Sequence, residues 1–201
     1  MSIQPSSFFP LPLNNVLLFL LSTEMQTEEI KVTENGKTIT TLTLEDCEKY
    51  HGLKRCGGLA LCFRMLKMAL DELVPEGEVA RRNLITFKTA FAGPGITDSA
   101  EMIGRCVTRK RFLVLPDEFV DAPECIFGKL YFEIGYGSKV MKITAKEGVI
   151  TPEFLKAGRK FYTGTANEEE TEVWIGFKGK LYDAVLNSEM KDIVKTEIVN
   201  I

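Results

Sequence analysis

The chain has 201 residues, with 25 Lys plus Arg against 28 Asp plus Glu, 45% hydrophobic residues, five cysteines and one histidine. That balance describes one compact folded domain, or one with a small appendage, and not a disordered chain. A net charge of −3 leaves it poorly equipped for phosphate backbones, so no nucleic acid partner is expected, and with His51 as the sole imidazole, two-histidine metal sites within one chain are excluded.

Ser2 to Leu21 carry no charge, and Val16 to Leu21 form a dense apolar run. A secretory signal needs a basic leading region and a small-residue cleavage site. The basic region is missing, and Ser22-Thr-Glu-Met25 is a poor cleavage site. A membrane span needs about 20 apolar residues, and Pro10, Pro12, Asn14 and Asn15 interrupt this one. Residues 1–26 are therefore expected to be an apolar helical extension that packs on the body or on a second copy, or an upstream segment preceding a start at Met25, in preference to a weak secretory signal.

Residues 28–43 alternate polar and apolar around Glu34-Asn-Gly-Lys37. Asn35-Gly36 marks a hairpin, with Ile30 and Val32 set against Ile39 and Leu42. Thr43-Leu-Glu-Asp46 has the form of a capping box with Asp in place of Glu, which predicts a short helix over 44–50 ended by Gly52. From Gly58 to Leu73, apolar Leu59, Cys62, Phe63, Leu66, Leu70 and Leu73 recur at helical spacing. Arg64, Lys67 and Asp71 leave only a narrow polar stripe, so this helix is expected to be mostly buried. Pro75 and Gly77 close it, and a further helical stretch is expected over 78–82.

A strand is predicted over 83–91, with Ile85, Phe87 and Phe91 on one face. Gly93-Pro-Gly95 reads as a turn, and Thr97 or Asp98 as the cap of a short helix to about residue 104. A short strand over 112–115 and a loop over 117–124 follow. The segments 128–134 and 138–144 form a hairpin through Gly135-Tyr-Gly137. Thr151-Pro-Glu-Phe154 starts a helix running to about Ala157. Residues 164–170 read as an acidic loop, and 173–177 with 181–186 as a last hairpin across Lys178-Gly-Lys180. The periodicity of the tail over 189–201 does not decide its structure, and helix then strand is one reading of it. Hairpins with helices between them give an α+β fold, with an antiparallel or mixed sheet and a long buried helix. The expected organisation is the extension 1–26, an α+β domain over 27–164 and a C-terminal β extension over 165–201.

The five cysteines are Cys47, Cys56, Cys62, Cys106 and Cys125. An odd number without a Cys-x-x-Cys pair argues for reduced thiols and a cytoplasmic location. Two constellations carry chemistry. His51-Gly-Leu-Lys-Arg-Cys56-Gly-Gly58 places an imidazole and a thiol on a Gly-punctuated loop, with Cys56 just before a helix N-terminus and next to Lys54 and Arg55. That setting favours a negatively charged sulfur. Cys106 lies beside Arg105, Arg109, Lys110 and Arg111, which favours a thiolate and offers a place for an anion. The plain alternatives are a capped interhelical loop for the first and a solvated basic loop for the second. A third segment, Gly93-Pro-Gly-Ile-Thr-Asp98, feeds a helix start whose N–H groups suit an anion, or simply holds an N-cap.

His51-Gly52, Cys56, Gly58-Leu-Ala-Leu61 and Arg64-Met65, then Asp98-Ser-Ala-Glu101, Cys106 with Lys110, and Gly137-Ser-Lys-Val-Met-Lys-Ile143 resemble the FmdE family of formylmethanofuran dehydrogenase components over about residues 44–158. That family opens this region with His-Gly-His-x-Cys-Pro-Gly. Here Leu53 stands in place of the second His, one residue is inserted before Cys56, and Gly57 replaces the Pro. A cysteine before the Asp helix is replaced by Gly93-Pro-Gly95, and the C-terminal zinc ribbon of many members is absent. The resemblance implies a metal-binding protein that pairs as a homodimer and accompanies molybdenum or tungsten enzymes without carrying their catalytic centre. It also implies a divalent metal, zinc first, at His51, Cys56 and Cys106, with Asp98 or water completing the set. Two other functions fit the same residues: an enzyme with Cys56 or Cys106 as nucleophile, and a small-molecule-binding or assembly module with a degenerate metal site.

Overall fold

The computed structural model describes residues 28–201, so the extension expected over 1–26 lies outside the described residues. Strands β1 (Glu29–Thr33) and β2 (Ile39–Thr43) pair antiparallel across the Asn35-Gly36 turn. The Asn35 carboxamide oxygen accepts from the N–H groups of Lys37 and Thr38, and Gly36 takes the left-handed φ of 73°. Ile30, Val32 and Leu42 are buried as expected, but Ile39 pairs with Thr33 at the hairpin end and faces outward, 53% exposed. Helix α1 (Leu44–His51) follows without a loop. Its capping box forms, with Thr43 accepting from the Asp46 N–H and Asp46 accepting from the Thr43 N–H, and Gly52 ends it in the left-handed region.

Helix α2 (Gly57–Leu73) is the centre of the molecule. Leu59 to Phe63, Met65, Leu66, Ala69, Leu70 and Leu73 are all buried, and burying each large apolar side chain is worth about 1.5–3 kcal/mol. Its polar stripe is used. Arg64 pairs with Glu28 at 3.2 Å and donates to the carbonyls of Val185 and Ser188, the end of a later helix. The helical stretch expected over 78–82 is instead a short strand β3 (Ala80–Arg81), parallel to β1, and a single 3-10 turn over 82–84.

The larger sheet is mixed. Strand β4 (Ile85–Phe91) runs parallel to β5 (Phe112–Val114) and antiparallel to β7 (Gly128–Tyr136), β8 (Lys139–Ala145) pairs with β7, and the two-residue β6 (Glu124–Cys125) pairs at the start of β7. Helix α3 (Pro94–Gly104) begins early, with Gly93 as N-cap in place of Thr97 or Asp98 and Pro94 in the first turn. Helix α4 (Pro152–Tyr162) is capped by Thr151 and runs one turn beyond the predicted end.

The C-terminal hairpin does not form. Residues 168–187 are helix α5 (Glu168–Asn187), followed by α6 (Met190–Ile193) and β9 (Val194–Asn200). Strand β9 adds antiparallel to β8, so the C-terminus completes the main sheet in place of the expected β extension. The acidic segment is the capped start of α5: Asn167 and Glu170 form a reciprocal capping box, and Glu168 to Glu170 complement the helix dipole. The alternation of Val173, Ile175 and Phe177 suits a strand, yet Val173 and Ile175 are exposed while Trp174 and Val185 are buried. The fold is α+β, and no helix among the described residues is long and apolar enough to cross a membrane.

Candidate functional site

The first turns of α2 and α3 meet almost backbone to backbone. A Cβ on Gly95 would stand 2.7 Å from the Leu59 nitrogen and 3.2 Å from the Cys56 sulfur, so only glycine permits this approach. The contact is fastened by Ser99, whose hydroxyl donates to the Leu59 carbonyl at 3.3 Å, and by Cys62, whose thiol donates to the Ile96 carbonyl at 3.5 Å. Because α3 starts early, Asp98 is not a cap. It lies in the second turn and accepts from His51, with Nδ1 and Oδ2 2.6 Å apart. The imidazole is 8% exposed and the carboxylate 34%, so this is a short charge-assisted contact partly screened by water.

Cys56 is the N-cap of α2 and makes no side-chain cap bond. The neighbouring cation is turned away: Arg55 pairs with Asp183 at 2.6 Å and stands over the Tyr182 ring. Cys106 is elsewhere. It follows the left-handed C-cap residue Arg105 at the far end of α3, is fully buried, and points its thiol at the Ile85 carbonyl. Burial pushes that thiol up to about 11, outweighing the opposite pull of Arg111. The thiolate expected there is thus not favoured. Nor does the basic run hold an anion. Arg111 donates to the carbonyls of Arg82, Ile85 and Gly104, while Arg105 and Arg109 join Arg82 around Glu34. Burial pushes the Glu34 carboxyl up, but Arg82 and Arg109 outweigh it and hold the group below its ordinary value.

Of the four expected metal ligands the structure brings His51 and Asp98 into contact, sets Cys56 at the adjacent helix start, and keeps Cys106 apart. Among the described residues no group of three or more His, Cys, Asp or Glu side chains is placed to hold a metal ion. One chain therefore offers two donors in contact, fewer than a closed tetrahedral site requires.

Beside Cys56 opens a narrow cleft of about 80 Å³, smaller than the pockets that enclose drug-sized ligands and suited to a compound of a few heavy atoms. One wall is the start of α2 (Cys56 to Gly58, Leu61) and of α3 (Gly93 to Ile96); the other is Phe154 and Tyr162 of α4 with Trp174, Lys178 and Leu181 of α5. Cys125, Ile126 and Leu130 also line it. Trp174 packs edge to face on Phe154, with centroids 4.8 Å apart, and its ring edge at Cζ3 lies over Gly158, where an added Cβ would come within 3.0 Å. Its Nε1, on the opposite edge of the indole, is buried and has no hydrogen-bond partner. Buried indole N–H groups ordinarily find an acceptor. Lys178 stands over the Trp174 and Phe161 rings. Burial pushes the Tyr162 hydroxyl up, with Cys56 and Cys125 near enough to add to the effect, and burial pushes the Cys125 thiol up to about 11.

Reading 173–186 as a hairpin hides this second wall. The helical signal is nonetheless present: Asn167 with Glu170 is a capping box, and Trp174, Phe177, Leu181 and Val185 follow helical spacing. Gly176 and Gly179 weaken it. No model of a known protein family matches this chain, and no curated protein matches it.

Proposed function

We propose that this chain is a small-molecule-binding protein, built on a frame resembling the FmdE family, whose ligand seats in the cleft beside Cys56. The observation that carries this reading is the composition of the cleft wall. Aromatic and aliphatic side chains surround one thiol, one cation and one buried donor that lacks an acceptor. Apolar enclosure with a few placed polar groups is how small-molecule sites combine affinity with orientation. Trp174 is the chain's only tryptophan, so its emission reports on the cleft directly. Cys56 is the one partly exposed thiol, and the other four are buried. Small apolar compounds are expected to shift the emission and, in the same concentration range, to slow alkylation of Cys56. A panel in which no compound does both overturns the reading.

A second reading rests on the contact between His51 and Asp98. A carboxylate on one ring nitrogen orients the other toward a metal. A metal-binding accessory protein would complete the set with water, with Cys56, or with donors from a second copy or from a molybdenum or tungsten enzyme. Zinc analysis of untagged protein tests it: about one equivalent per chain or per pair, lost in His51→Ala and kept in Cys106→Ala, supports this reading. Less than about a tenth of an equivalent, unrestored by added zinc, rejects it.

A further inference from the structure

We infer that the ligand of this cleft is a small monoanion with a short apolar body, a short-chain alkyl carboxylate, held by its oxygens where α2 and α3 begin. The inference rests on the small-molecule reading above and names the ligand class. Three independent features point the same way. The first is the pair of helix starts. The N–H groups of Gly57 and Gly58 in α2 and of Gly95 in α3, all lining residues, have no acceptor among the described residues, and neither N-cap residue, Cys56 or Gly93, supplies a side-chain cap. The positive ends of both helices therefore meet at one wall of the cleft, with the N–H groups that an oxyanion uses.

The second is Trp174. It is 2% exposed, it lines the cleft, and its Nε1 has no partner. The six-membered edge of the indole is held against Gly158, which leaves the N–H on the side away from α4. A buried donor without an acceptor costs free energy that a ligand oxygen recovers. The third is charge. Lys178 is the one charged side chain in the wall, and no acidic group pairs with it among the described residues. A single cation suits a monoanion; a phosphate dianion would call for more. The remainder of the wall is apolar, with Leu61, Leu130, Ile150, Phe154 and Leu181 available to the body of the ligand.

The test compares butyrate with butyramide, which share shape and differ in charge, on the intact chain. Trp174 emission reports binding for the parent and for Lys178→Met, and calorimetry does so for Trp174→Phe. Lys178 is half-buried and stands over the Trp174 and Phe161 rings, so Lys178→Met removes the charge while keeping an unbranched apolar stem in place. The acid is expected to bind about tenfold more tightly than the amide, the scale of one charge-assisted hydrogen bond. Lys178→Met should cut that preference to about threefold or less, and Trp174→Phe should weaken the acid more than the amide. Equal binding of acid and amide, or tighter binding of the amide, overturns the anion assignment and leaves the cleft reading in place. A preference that survives both substitutions overturns the placement of the carboxylate. Failure of both compounds to bind at about 10 mM, a very weak limit, overturns the inference together with the reading beneath it.

Discussion

Gly95→Ala tests whether the two helix starts touch as described. The added Cβ would lie 2.7 Å from the Leu59 nitrogen and 3.2 Å from both the Gly58 carbonyl carbon and the Cys56 sulfur. Two of these three atoms are backbone within α2, so no rotamer change relieves the contact. Restoring an ordinary separation of about 3.4 Å requires the helices to part by about 0.7 Å, against a core that resists expansion. Overpacking of this kind costs about 1–3 kcal/mol. The usual gain of up to ~1 kcal/mol from replacing a helical glycine by alanine offsets part of that. The net expectation is a loss of about 1–2 kcal/mol, or a fall in Tm of about 2–8 °C for a chain of this size. Gly58→Ala is the control. It lies in the same first turn of α2, has no atom within 4 Å of an added Cβ, and carries no positive φ. It should raise stability by about 0.4–1 kcal/mol through the unfolded chain. Thermal and urea unfolding of the two variants beside the parent measures both. If Gly95→Ala is as stable as Gly58→Ala, α2 and α3 do not approach at backbone distance, and the cleft lacks the wall described.

Gly128→Ala should be far more damaging. Its φ of 113° disfavours a side chain, and the Cβ would strike the Ala90 carbonyl oxygen in the neighbouring strand. A loss of about 4 kcal/mol or failure to fold is expected, and a urea midpoint within error of the parent would contradict it. Arg111→Met strips donors from the carbonyls of Arg82, Ile85 and Gly104 and should cost about 2–4 kcal/mol in urea unfolding; a cost below about 0.5 kcal/mol would show that water takes over those carbonyls. Stability should also fall in alkali. Burial pushes Cys47 up to about 12 and Cys106 and Cys125 up to about 11, from an ordinary 9.0. The unfolded chain releases these protons first, so stability is full below about pH 9 and declines as pH rises toward 11 and 12, by at most about 1.4 kcal/mol per pH unit for each thiol. Urea midpoints across pH 8 to about 10.5 check this, and a flat profile would place the thiols in water.

Local signals are legible wherever one turn or one face decides the outcome. The Asn35-Gly36 turn, the Thr43 and Asp46 box, the buried face of α2 and the Thr151 cap all depend on residues within a few positions of each other. Ile39 shows the limit of the rule: its place at the hairpin end, not its hydrophobicity, sets its exposure. In α5 two periodicities compete. Val173, Ile175 and Phe177 satisfy a strand, and Trp174, Phe177, Leu181 and Val185 satisfy a helix. The helix wins because Trp174 finds Phe154 and Tyr162 on α4, a contact between segments that alternation within one of them does not encode.

By itself the sequence determined the α+β class, the buried central helix, the exclusion of multi-histidine chemistry, and the loop in which His51 and Cys56 sit. It read Gly93-Pro-Gly95 as a turn, and only the packing showed Gly95 to be the contact between α2 and α3. Only the tertiary structure decided what each candidate faces. His51 meets Asp98 across 47 residues of chain. Cys106 turns from the basic run into the core, and Arg111 is spent on carbonyls. The second wall of the cleft comes from a helix whose sequence also reads as strands. The physical reason is one of range. Caps, turns and periodicity act over a few residues, whereas burial and unpaired donors are properties of surfaces brought together from distant parts of the chain.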